Sequence, residues 1–549
     1  MVNMVEDLPT GYYLENFNFL LDFVEQHYSD LLTQAEKAYR QDFRQLSLDA
    51  QRLYVRLTGR RGPLFRLDKL AYDEIGCLSS ATAELLDKKL FQVPGDTIAA
   101  DLLPLLTKKE LLDRFARSDK RLKRQDLHDA IADQYSIEQI REHLGLDVIE
   151  PLGKEYLQVF KLLFFGNLHQ DFTEFVLRDL GVSPFENYVM DASARYFGNR
   201  ELLDGVLQSY LVADECRAVM EGGDANQLTE FAKICLDAGE IRETLLHRRY
   251  SKMYNTMARQ LERYDRIEEA IRLYEKSIVA PARERRSRIY DSLGRTNEAI
   301  DLCQQIHEDP VDEAEAEFSV KFATRVSKRH RLEYDWIPTT SSDDFDIDAV
   351  MVKQQPEVQV ELQACDWYKS QGIDARYVEN GLLPGLFGLY FWKVIFAPVR
   401  GAFFNPFQRG PVDLFTPEFK SERQAMIESR LDKMSDNTVF TDTVLETFDT
   451  KFGIANYFVN WRWLDRELIE KSLSRIPHGD LRLIFTRLLR DLRHIRSGFP
   501  DLIVFPASQG YRLTEIKGPG DKLQNNQKRW FRFFKASGIP ANILNVAWR

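Results

Sequence analysis

The stretch FPDLIVFPASQGYRLTEIKGPGDKLQNNQKRWFRFF, residues 499–534, decides the fold of the C-terminal part of the chain. Two runs rich in β-branched and aromatic residues, DLIVF and YRLTEIK, flank a Pro-Ala-Ser-Gln-Gly turn, which predicts a β-hairpin. Because side chains two apart share one face of a strand, Glu515 and Lys517 point together while Ile516 points away. Asp501 opens the first strand, so two carboxylates and an ammonium converge at one end of the hairpin.

This group of side chains suits a hard divalent cation. Mg²⁺ prefers oxygen ligands and is usually held by one or two carboxylates together with substrate phosphate. Such a cation orients a water molecule and stabilises a leaving oxygen, while Lys517 holds or deprotonates the water. We therefore expect Asp501 and Glu515 to bind metal and Lys517 to be catalytic. The alternative is an exposed edge hairpin in which Glu515 and Lys517 are only solvated.

The composition favours an intracellular protein of several domains. The chain has 549 residues, of which 44% are apolar and 29% charged, with no apolar run near the length of a membrane span. Its first residues, MVNMVEDLPTGYY, are acidic and aromatic rather than typical of a secretion signal. The five cysteines are widely separated, which favours a reducing compartment. We expect no membrane partner, and a location in the cytoplasm or nucleoid, or in the nucleus of a eukaryote.

The charge distribution favours a nucleic-acid partner more than the total charge does. The formal net charge is −11, but residues 481–549 carry +9 and residues 1–480 carry −20. A basic segment around a carboxylate cluster suits a polyanion held over a metal. A solvated basic face is the alternative interpretation.

Residues 1–100 are predicted to form a helical module of winged-helix type. Ser47 is a candidate N-cap for a helix with periodic apolar residues. A basic turn follows, and its arginines are expected to contact DNA phosphates. A packing domain with a solvated turn fits the same pattern. The two arginines are Arg60 and Arg61.

Residues 101–138 are predicted to form two short helices joined by a basic turn. Thr107 and Glu110 make a capping box at the start of the first helix. Such a hairpin resembles the SAP motif, which reads the DNA backbone, although short helical hairpins with basic turns are common elsewhere. The residues expected to contact DNA are Lys120, Arg121, Lys123 and Arg124.

Residues 139–345 are predicted to be helical. RYDRIEEAIRLYEKS (263–277) and SLGRTNEAIDLCQQI (292–306) repeat each other, with Ala270 and Ala299 in register. Small residues at such positions let helix pairs stack, as in TPR-like solenoids, and a plain helical bundle is the alternative. Several basic residues here either line a DNA-facing surface or lie on ordinary exposed helix faces: Arg283, Arg285, Arg286, Arg288, Arg325, Lys328, Arg329 and Arg331.

Residues 346–549 form the last predicted domain, after a polar linker TTSSDDFDID (339–348) and with a helical insert at about 400–490. Glu379 lies just before a strongly apolar helix, where a carboxylate is costly unless it is exposed, capping or bound to a metal. The last helix of the insert is predicted to carry three arginines near one face, which suits either phosphate contact or solvation. These are Arg487, Arg490 and Arg493.

The segment after the hairpin is predicted to form a helix capped by Asp521. Gln527 is the one polar residue on its apolar stripe, so it either faces the site or is a buried structural amide. ANILNVAW, residues 541–548, is predicted to add a strand to the sheet.

PDLIVF combined with EIKGPGDKLxxxQ resembles the VRR-NUC domain of the PD-(D/E)XK nuclease superfamily. RLYVRL…KLAYDEI, GLYFWKVIF and PVDLFT extend the resemblance over most of the chain to the Fanconi-associated nuclease family, and the length is similar to bacterial members. The resemblance implies a multidomain, mainly α fold with winged-helix-like and SAP-like N-terminal modules and a TPR-like middle. The C-terminal domain is then an α/β PD-(D/E)XK core.

The resemblance also implies a structure-selective DNA nuclease, a phosphodiesterase that uses one or two Mg²⁺ or Mn²⁺ ions. Its members cut 5′ flaps, act as 5′→3′ exonucleases on branched DNA and take part in interstrand-crosslink repair. By position, it assigns as metal ligands Glu379, Asp501, Glu515 and the Ile516 carbonyl, with Lys517 as the catalytic lysine and Gln527 beside them. Lys522 matches a basic DNA-contacting position. Asn526 departs from the lysine of vertebrate members, which argues against a fully formed pocket for a 5′-terminal phosphate.

Two rival functions remain open at this point. One is another nuclease class, such as a junction resolvase or a restriction-type enzyme. The other is a TPR-like DNA-repair scaffold with a degenerate nuclease domain. The intact set of Glu379, Asp501, Glu515 and Lys517 argues against the scaffold.

Overall fold

A computed structural model describes residues 11–60, 62–95, 99–115, 121–145, 147–170, 184–337 and 343–549. The chain divides into two compact units. The first comprises the described residues up to 170 together with 197–203, and the second comprises the described residues of 184–196 and 204–549. No helix in these ranges combines the length and the apolar content that crossing a membrane requires.

The first unit is built mostly from helices around one small sheet. Strands β1 (Phe65–Arg66), β2 (Phe91–Gln92) and β3 (Val148–Pro151) pair antiparallel in the order β1-β3-β2. The helices are α1 (Tyr12–Tyr28), α2 (Gln34–Gln45), α3 (Leu48–Thr58), α4 (Leu78–Asp87), α5 (Ala99–Leu102), α6 (Lys108–Arg114), α7 (Arg124–Gln134), α8 (Ile137–Leu144) and α9 (Lys154–Phe165). Ser47 caps α3, as predicted, because its Oγ accepts a hydrogen bond from the Ala50 N–H at 3.3 Å.

Strand β3 corrects the prediction that the chain is simply helical from residue 139. Ile149 lies opposite Phe65 of β1, and Pro151 lies opposite Phe91 of β2. The strand therefore joins two pieces of the first unit that are far apart in sequence. A run of four residues is too short to show the period of two that identifies a half-buried strand.

The two short helices predicted after residue 101 are present as α6 and α7. The Thr107–Glu110 capping box forms as predicted, with the Thr107 N–H donating to Glu110 Oε2 at 2.8 Å. Leu111 of α6 and Leu127 and Ile131 of α7 are fully buried in one cluster. Burial of these three side chains holds the two helices together.

The second unit begins with a series of packed helices. They are α10 (Arg200–Gly222), which starts within the first unit, and then α11 (Ala225–Asp237), α12 (Thr244–Arg263), α13 (Ile267–Lys276), α14 (Ala282–Ser292), α15 (Thr296–Glu308) and α16 (Glu313–His330). Ala270 of α13 and Ala299 of α15 are both fully buried. Small side chains at these two matched positions allow the close helix packing that the repeat predicted.

A five-stranded mixed sheet forms the C-terminal domain in the order β4-β8-β7-β6-β5. Its strands are β4 (Ile347–Val352), β5 (Asp374–Tyr377), β6 (Leu502–Phe505), β7 (Arg512–Lys517) and β8 (Ala541–Trp548). The predicted hairpin is β6 and β7, and β8 pairs parallel with β7. Ile347 and Asp348, placed in the linker by their polar surroundings, pair with Ile543 and Leu544 and belong to β4.

Helices cover this sheet and form the insert. They are α17 (Val360–Ser370), α18 (Leu382–Tyr390), α19 (Trp392–Ile395), α20 (Pro417–Glu422), α21 (Gln424–Lys433), α22 (Asn437–Lys451), α23 (Arg466–Arg475), α24 (His478–Leu488) and α25 (Asn525–Ser537). Together with a mainly helical remainder, this sheet confirms the predicted multidomain, mainly α fold with a C-terminal α/β domain.

The prediction that Asp521 caps the last helix is wrong, because the N-cap is Gln524. Asp521 Oδ2 instead accepts the Gly518 N–H at 2.9 Å and closes the turn after β7.

Helix α18 is buried on all sides, and the segment 455–464 packs directly against it. A Cβ added at Gly385 would lie 2.9 Å from Leu464 Cδ2. One added at Gly388 would lie 2.8 Å from the Phe458 Cβ. Real Cβ atoms do not approach that closely. The Leu464 methyl group is the flexible end of its side chain and can shift, whereas the Phe458 Cβ is fixed to the backbone, so Gly388 is the glycine that the close packing of this segment needs.

We expect Gly388→Ala to destabilise the second unit by about 1–3 kcal/mol, because the added methyl group overpacks the contact with Phe458. Gly222→Ala is the matched control. Gly222 is also helical but has no atom within 4 Å of an added Cβ, so this change should be neutral or stabilise by up to about 1 kcal/mol. Urea unfolding of both variants measures the difference, and equal effects would contradict the packing argument.

Candidate active site

The hairpin brings Asp501 and Glu515 together at one end of the sheet. Leu502 lies opposite Thr514, so the preceding Asp501 faces Glu515 across the two antiparallel strands. Asp501 Oδ2 accepts a hydrogen bond from the Ile516 N–H at 2.8 Å. The Val378 N–H donates to the Asp501 carbonyl oxygen at 2.8 Å, which brings the end of β5 to the same place.

Lys517, Glu515 and Gln527 form one hydrogen-bonded group. Lys517 Nζ donates to Glu515 Oε1 at 2.7 Å, and Gln527 Nε2 donates to the same oxygen at 2.5 Å. Gln527 Oε1 accepts the Gln524 N–H at 2.9 Å and lies 3.3 Å from Lys517 Nζ. The amide therefore faces the site, which was one of the two predicted alternatives, and it also completes the capping box of α25.

Glu515 Oε2 is a buried carboxylate oxygen with no hydrogen-bond partner. The Glu515 side chain is only 1% exposed, and that of Lys517 is 13% exposed. Leaving a buried carboxylate oxygen unpaired costs free energy, because the oxygen has lost its water without gaining another donor. This oxygen therefore keeps an unused capacity to accept a ligand.

The electrostatics of the two buried carboxylates favour an added positive charge. Burial raises the pKa of Glu515, and the negative charge of Asp501 raises it further, against the opposing effect of Lys517. Burial likewise raises the pKa of Asp501, while the hydrogen bond from the Ile516 N–H lowers it. A divalent cation beside both groups would favour their charged forms.

Glu379 lies next to this pair, at the end of β5, and is exposed. Its Oε2 accepts a hydrogen bond from the Tyr377 hydroxyl at 2.5 Å, and its Oε1 accepts one from Asn380 Nδ2 at 3.2 Å. Its negative charge raises the pKa of both Asp501 and Glu515. The alternative role as a helix cap is not seen, since Gly381 is the N-cap of α18 and no side chain caps that helix.

The three carboxylates are neighbours, but they do not form a closed set of ligands. Within the described ranges, no group of three or more His, Cys, Asp or Glu side chains is arranged to hold a metal ion. Glu379 Oε2 is instead engaged by the Tyr377 hydroxyl. The role of Glu379 as a ligand therefore stays a prediction, as does that of the Ile516 carbonyl.

The turn that carries Glu379 is held in place by its neighbour. Asn380 adopts a positive φ of 48°, a conformation that Asn tolerates better than most residues. Asn380 Oδ1 accepts the Gly498 N–H at 2.9 Å and the Phe499 N–H at 3.3 Å. These bonds tie the Glu379 turn to the chain that leads into β6.

Sequence reasoning missed two residues at the site. Glu361, in the first turn of α17, raises the pKa of Asp501 more than Glu379 does. Its neighbour Val360 approaches within 4.0 Å of the position that a Cβ would take at Gly518, just after β7. Tyr377 was missed as well, although it hydrogen-bonds Glu379. Neither belongs to a local motif. The pairing of β5 with β6 brings Tyr377 to the site, and the packing of α17 against the sheet brings Glu361.

The predicted DNA contacts of the first unit have different surroundings. Arg60 is exposed, with Nη1 donating to the Tyr72 hydroxyl at 3.0 Å, and Arg121 and Lys123 are exposed. Arg124 Nη2 donates to the carbonyl oxygens of Pro104 and Leu106, both at 2.7 Å. Arg124 is therefore partly engaged in holding its own hairpin. Arg61 and Lys120 lie outside the described residues.

The prediction that Arg487, Arg490 and Arg493 share a helical face is wrong. Helix α24 ends at Leu488, so Arg490 and Arg493 lie beyond it, both exposed. The Arg487 side chain is 12% exposed and pairs with Glu313 of α16. Its guanidinium also lies 4.8 Å from the ring centroids of Trp530 and Phe533. Arg487 is thus a packing residue here rather than an exposed phosphate contact.

Four arginines of α14 are likewise paired. Arg283 binds Glu315, Arg285 binds Glu262, Arg286 binds Glu275 and Arg288 binds Glu284. Their charges are balanced within the protein, which favours ordinary helix faces over a DNA-facing surface at these positions.

The residues after β7 also have defined places. Lys522 is exposed. Asn526 packs against Gly498, where a Cβ would meet the Asn526 Cγ at 2.9 Å. Asn526 Oδ1 accepts the Gln527 N–H at 3.0 Å. Asn526 thus supports the start of α25.

Comparison with known proteins identifies two regions of the chain. The family description "FAN1, HTH domain" matches residues 11–92, and "VRR-NUC domain" matches residues 437–548. The second match contains Asp501, Glu515 and Lys517.

Relatives match over nearly the whole chain. A Fanconi-associated nuclease 1 homolog of Pseudomonas aeruginosa is 33% identical over 547 residues, which cover 98% of this chain and 96% of the relative. One from Arabidopsis thaliana is 25% identical over 610 residues, covering 98% of this chain and 67% of the relative.

Solved structures agree in fold. The crystal structure of paFAN1 bound to DNA with a 2-nucleotide 5′ flap and a gap has a TM-score of 0.83 and 32% identity, and covers 99% of both chains. The complex with a 1-nucleotide flap has a TM-score of 0.81 and 32% identity, covering 98% of this chain and 99% of the other. With a relative of this identity aligned from end to end, and the VRR-NUC match enclosing the paired carboxylates, the chain belongs to the Fanconi-associated nuclease family.

Proposed function

We propose that this protein is a divalent-metal-dependent nuclease that hydrolyses phosphodiesters in branched DNA carrying a 5′ flap. The observation that carries the proposal is the unpartnered, buried Glu515 Oε2 beside Asp501, with Lys517 on the other oxygen of the same carboxylate. Carboxylate oxygens of this kind are the usual ligands of Mg²⁺ and Mn²⁺. The proposed ligands are Asp501, Glu515, the Ile516 carbonyl and, after a rotation of its side chain, Glu379.

A bound ion at this place would polarise the phosphoryl oxygen and lower the pKa of a coordinated water. The protein supplies the remaining steps. Lys517, held by Glu515 and Gln527, places an ammonium beside the reacting phosphate, where it can take part in proton transfer and offset developing negative charge. Asp501, fixed by the Ile516 N–H, keeps the two carboxylates at a constant separation.

The choice of a 5′ flap rests on the solved paFAN1 complexes, which contain 5′-flap DNA and share the fold over nearly the full length. The proposal includes a 5′→3′ exonuclease action and a role in interstrand-crosslink repair inside the cell. Exposed basic residues are the proposed DNA contacts: Arg60, Arg121, Lys123, Arg490, Arg493 and Lys522. The intact set of catalytic side chains argues against a degenerate scaffold.

We expect Lys517→Met to lower the cleavage rate on 5′-flap DNA by about 10²–10⁴-fold, because it removes the ammonium that Glu515 holds at the site. Lys369→Met, an exposed position on α17, is the matched control and should cut normally. The substrates are a 5′ flap, a four-way junction and a plain duplex, each with Mg²⁺ or Mn²⁺. Preferred cutting of the four-way junction would point to a resolvase, and no cutting of any substrate by the unaltered protein would refute the proposal.

We expect Gln527→Leu to weaken Mn²⁺ binding by about 10–100-fold, because the amide that orients Glu515 and Lys517 is lost. Titration calorimetry measures the affinity directly, without DNA. Asn526→Leu, one residue away and not bonded to Glu515, is the comparison. If both variants bind Mn²⁺ like the unaltered protein, the amide does not support the metal site.

A further inference from the structure

An exposed tryptophan lies beside the active site. Trp463 is 55% exposed. Its ring centroid is 5.7 Å from that of Tyr377, in an edge-to-face arrangement. Tyr377 in turn donates to Glu379 at 2.5 Å. The Trp463 Cβ also lies 3.8 Å from the position that a Cβ would take at Gly381, at the head of α18.

The segment that carries Trp463 is firmly packed. Phe458, Val459 and Leu464 are all buried against α18, at the two glycines described above. The backbone N–H of Trp463 donates to the Asn460 carbonyl oxygen at 3.1 Å, and Asn456 Oδ1 accepts the backbone N–H of Phe458 at 2.9 Å. A packed backbone therefore holds the exposed indole beside Tyr377.

The chemistry around Trp463 suits an unpaired nucleotide. Arg462, the preceding residue, is exposed and supplies a positive charge for a phosphate. Proteins that bind single strands combine basic groups with aromatic rings on which bases stack. In an intact duplex, each base is stacked between its neighbours, so both faces of its ring are covered. An unpaired base at a branch leaves a face of its ring free for stacking.

We propose that Trp463 stacks on an unpaired base of branched DNA and holds that strand beside Glu379, Asp501 and Glu515. This inference rests on the proposed function and deepens it. It assigns to one residue the recognition of the single-stranded part of the substrate. Tyr377, which touches both the indole and Glu379, fixes the distance between the stacked base and the carboxylates.

The test combines protein variants with substrates that have or lack the base. Trp463→Ala and Trp463→Phe are compared with Phe452→Ala, an exposed aromatic (61%) that packs on Phe448 and Trp461 instead of the site. DNA affinity is measured by fluorescence anisotropy with Mn²⁺ in the Lys517→Met background, which slows cutting. The substrates are a 5′ flap with normal nucleotides at the branch and the same flap with abasic ones.

Trp463→Ala should weaken binding of the normal flap by about 5- to 150-fold, the range of one stacked base. Trp463→Phe should retain most of the affinity, and Phe452→Ala all of it. On the abasic flap, Trp463→Ala should cause no further loss, because the base it would stack on is absent.

Two results would overturn the inference. If Trp463→Ala binds the normal flap as tightly as the parent protein, the indole does not contact DNA and its exposed face is left for a protein partner. If the loss is equal on normal and abasic flaps, the residue acts on the backbone of the DNA or on the fold. Cleavage of the flap by the unaltered protein is measured separately, so a failure of the proposed function is distinguished from a failure of this inference.

Discussion

The hydrogen bond from the Ile516 N–H to Asp501 Oδ2 is the interaction on which the site depends. It joins the side chain of Asp501, just before β6, to the backbone of β7, so the register of the hairpin and the position of the carboxylate are set together. An N–H donated to a carboxylate favours its charged form and opposes the effect of burial. The Asp501 carbonyl oxygen at the same time holds the end of β5 through Val378. One residue therefore joins the three strands whose ends form the site.

The arrangement is costly for an isolated protein. Glu515 is almost completely buried and faces Asp501, and the charges of Glu361 and Glu379 act on Asp501 as well. Lys517 supplies an ammonium in contact with Glu515. Like charges gathered in a poorly solvated place raise each other's pKa. Binding of a cation or a proton relieves this repulsion and stabilises the site, as is usual where carboxylates are gathered to bind a metal ion.

Helix α16 of the same unit packs against the elements that carry the site. Glu313 of α16 pairs with Arg487, and Glu317 of α16 pairs with Arg529 of α25. Arg487 is also stacked on Trp530 of α25, whose indole N–H donates to the Ile495 carbonyl oxygen at 3.0 Å. These contacts hold the helix that carries Gln527 against the sheet. Arg487, which the sequence offers as a DNA contact, is thus used inside the protein, whereas Arg490 and Arg493 lie beyond the end of α24 and are exposed.

Local signals sufficed for the hairpin, the last strand, the Ser47 N-cap and the Thr107–Glu110 capping box, because each depends on residues a few positions apart. They also sufficed for the grouping of Asp501, Glu515 and Lys517, since a hairpin brings its two strands together without help from the rest of the chain. Strand β3 was missed because four residues show no period, and the end of α24 at Leu488 was missed because the arginine spacing continues past it. For Gln527 the sequence left two roles open, a side chain facing the site and a buried structural amide.

The sequence by itself determined the chemistry of the site, because the alternation of side chains along β7 places Glu515 and Lys517 on one face wherever that strand lies. Tertiary structure alone decided which other groups join them. Glu361, Tyr377 and Trp463 reach the site from α17, β5 and the segment before α23, which lie about 40 to 150 residues away along the chain. No local pattern specifies such contacts, since they follow from strand pairing and from the close approach that Gly385 and Gly388 permit. Burial, which raises the pKa of both carboxylates, is likewise a property of the folded chain and not of the motif.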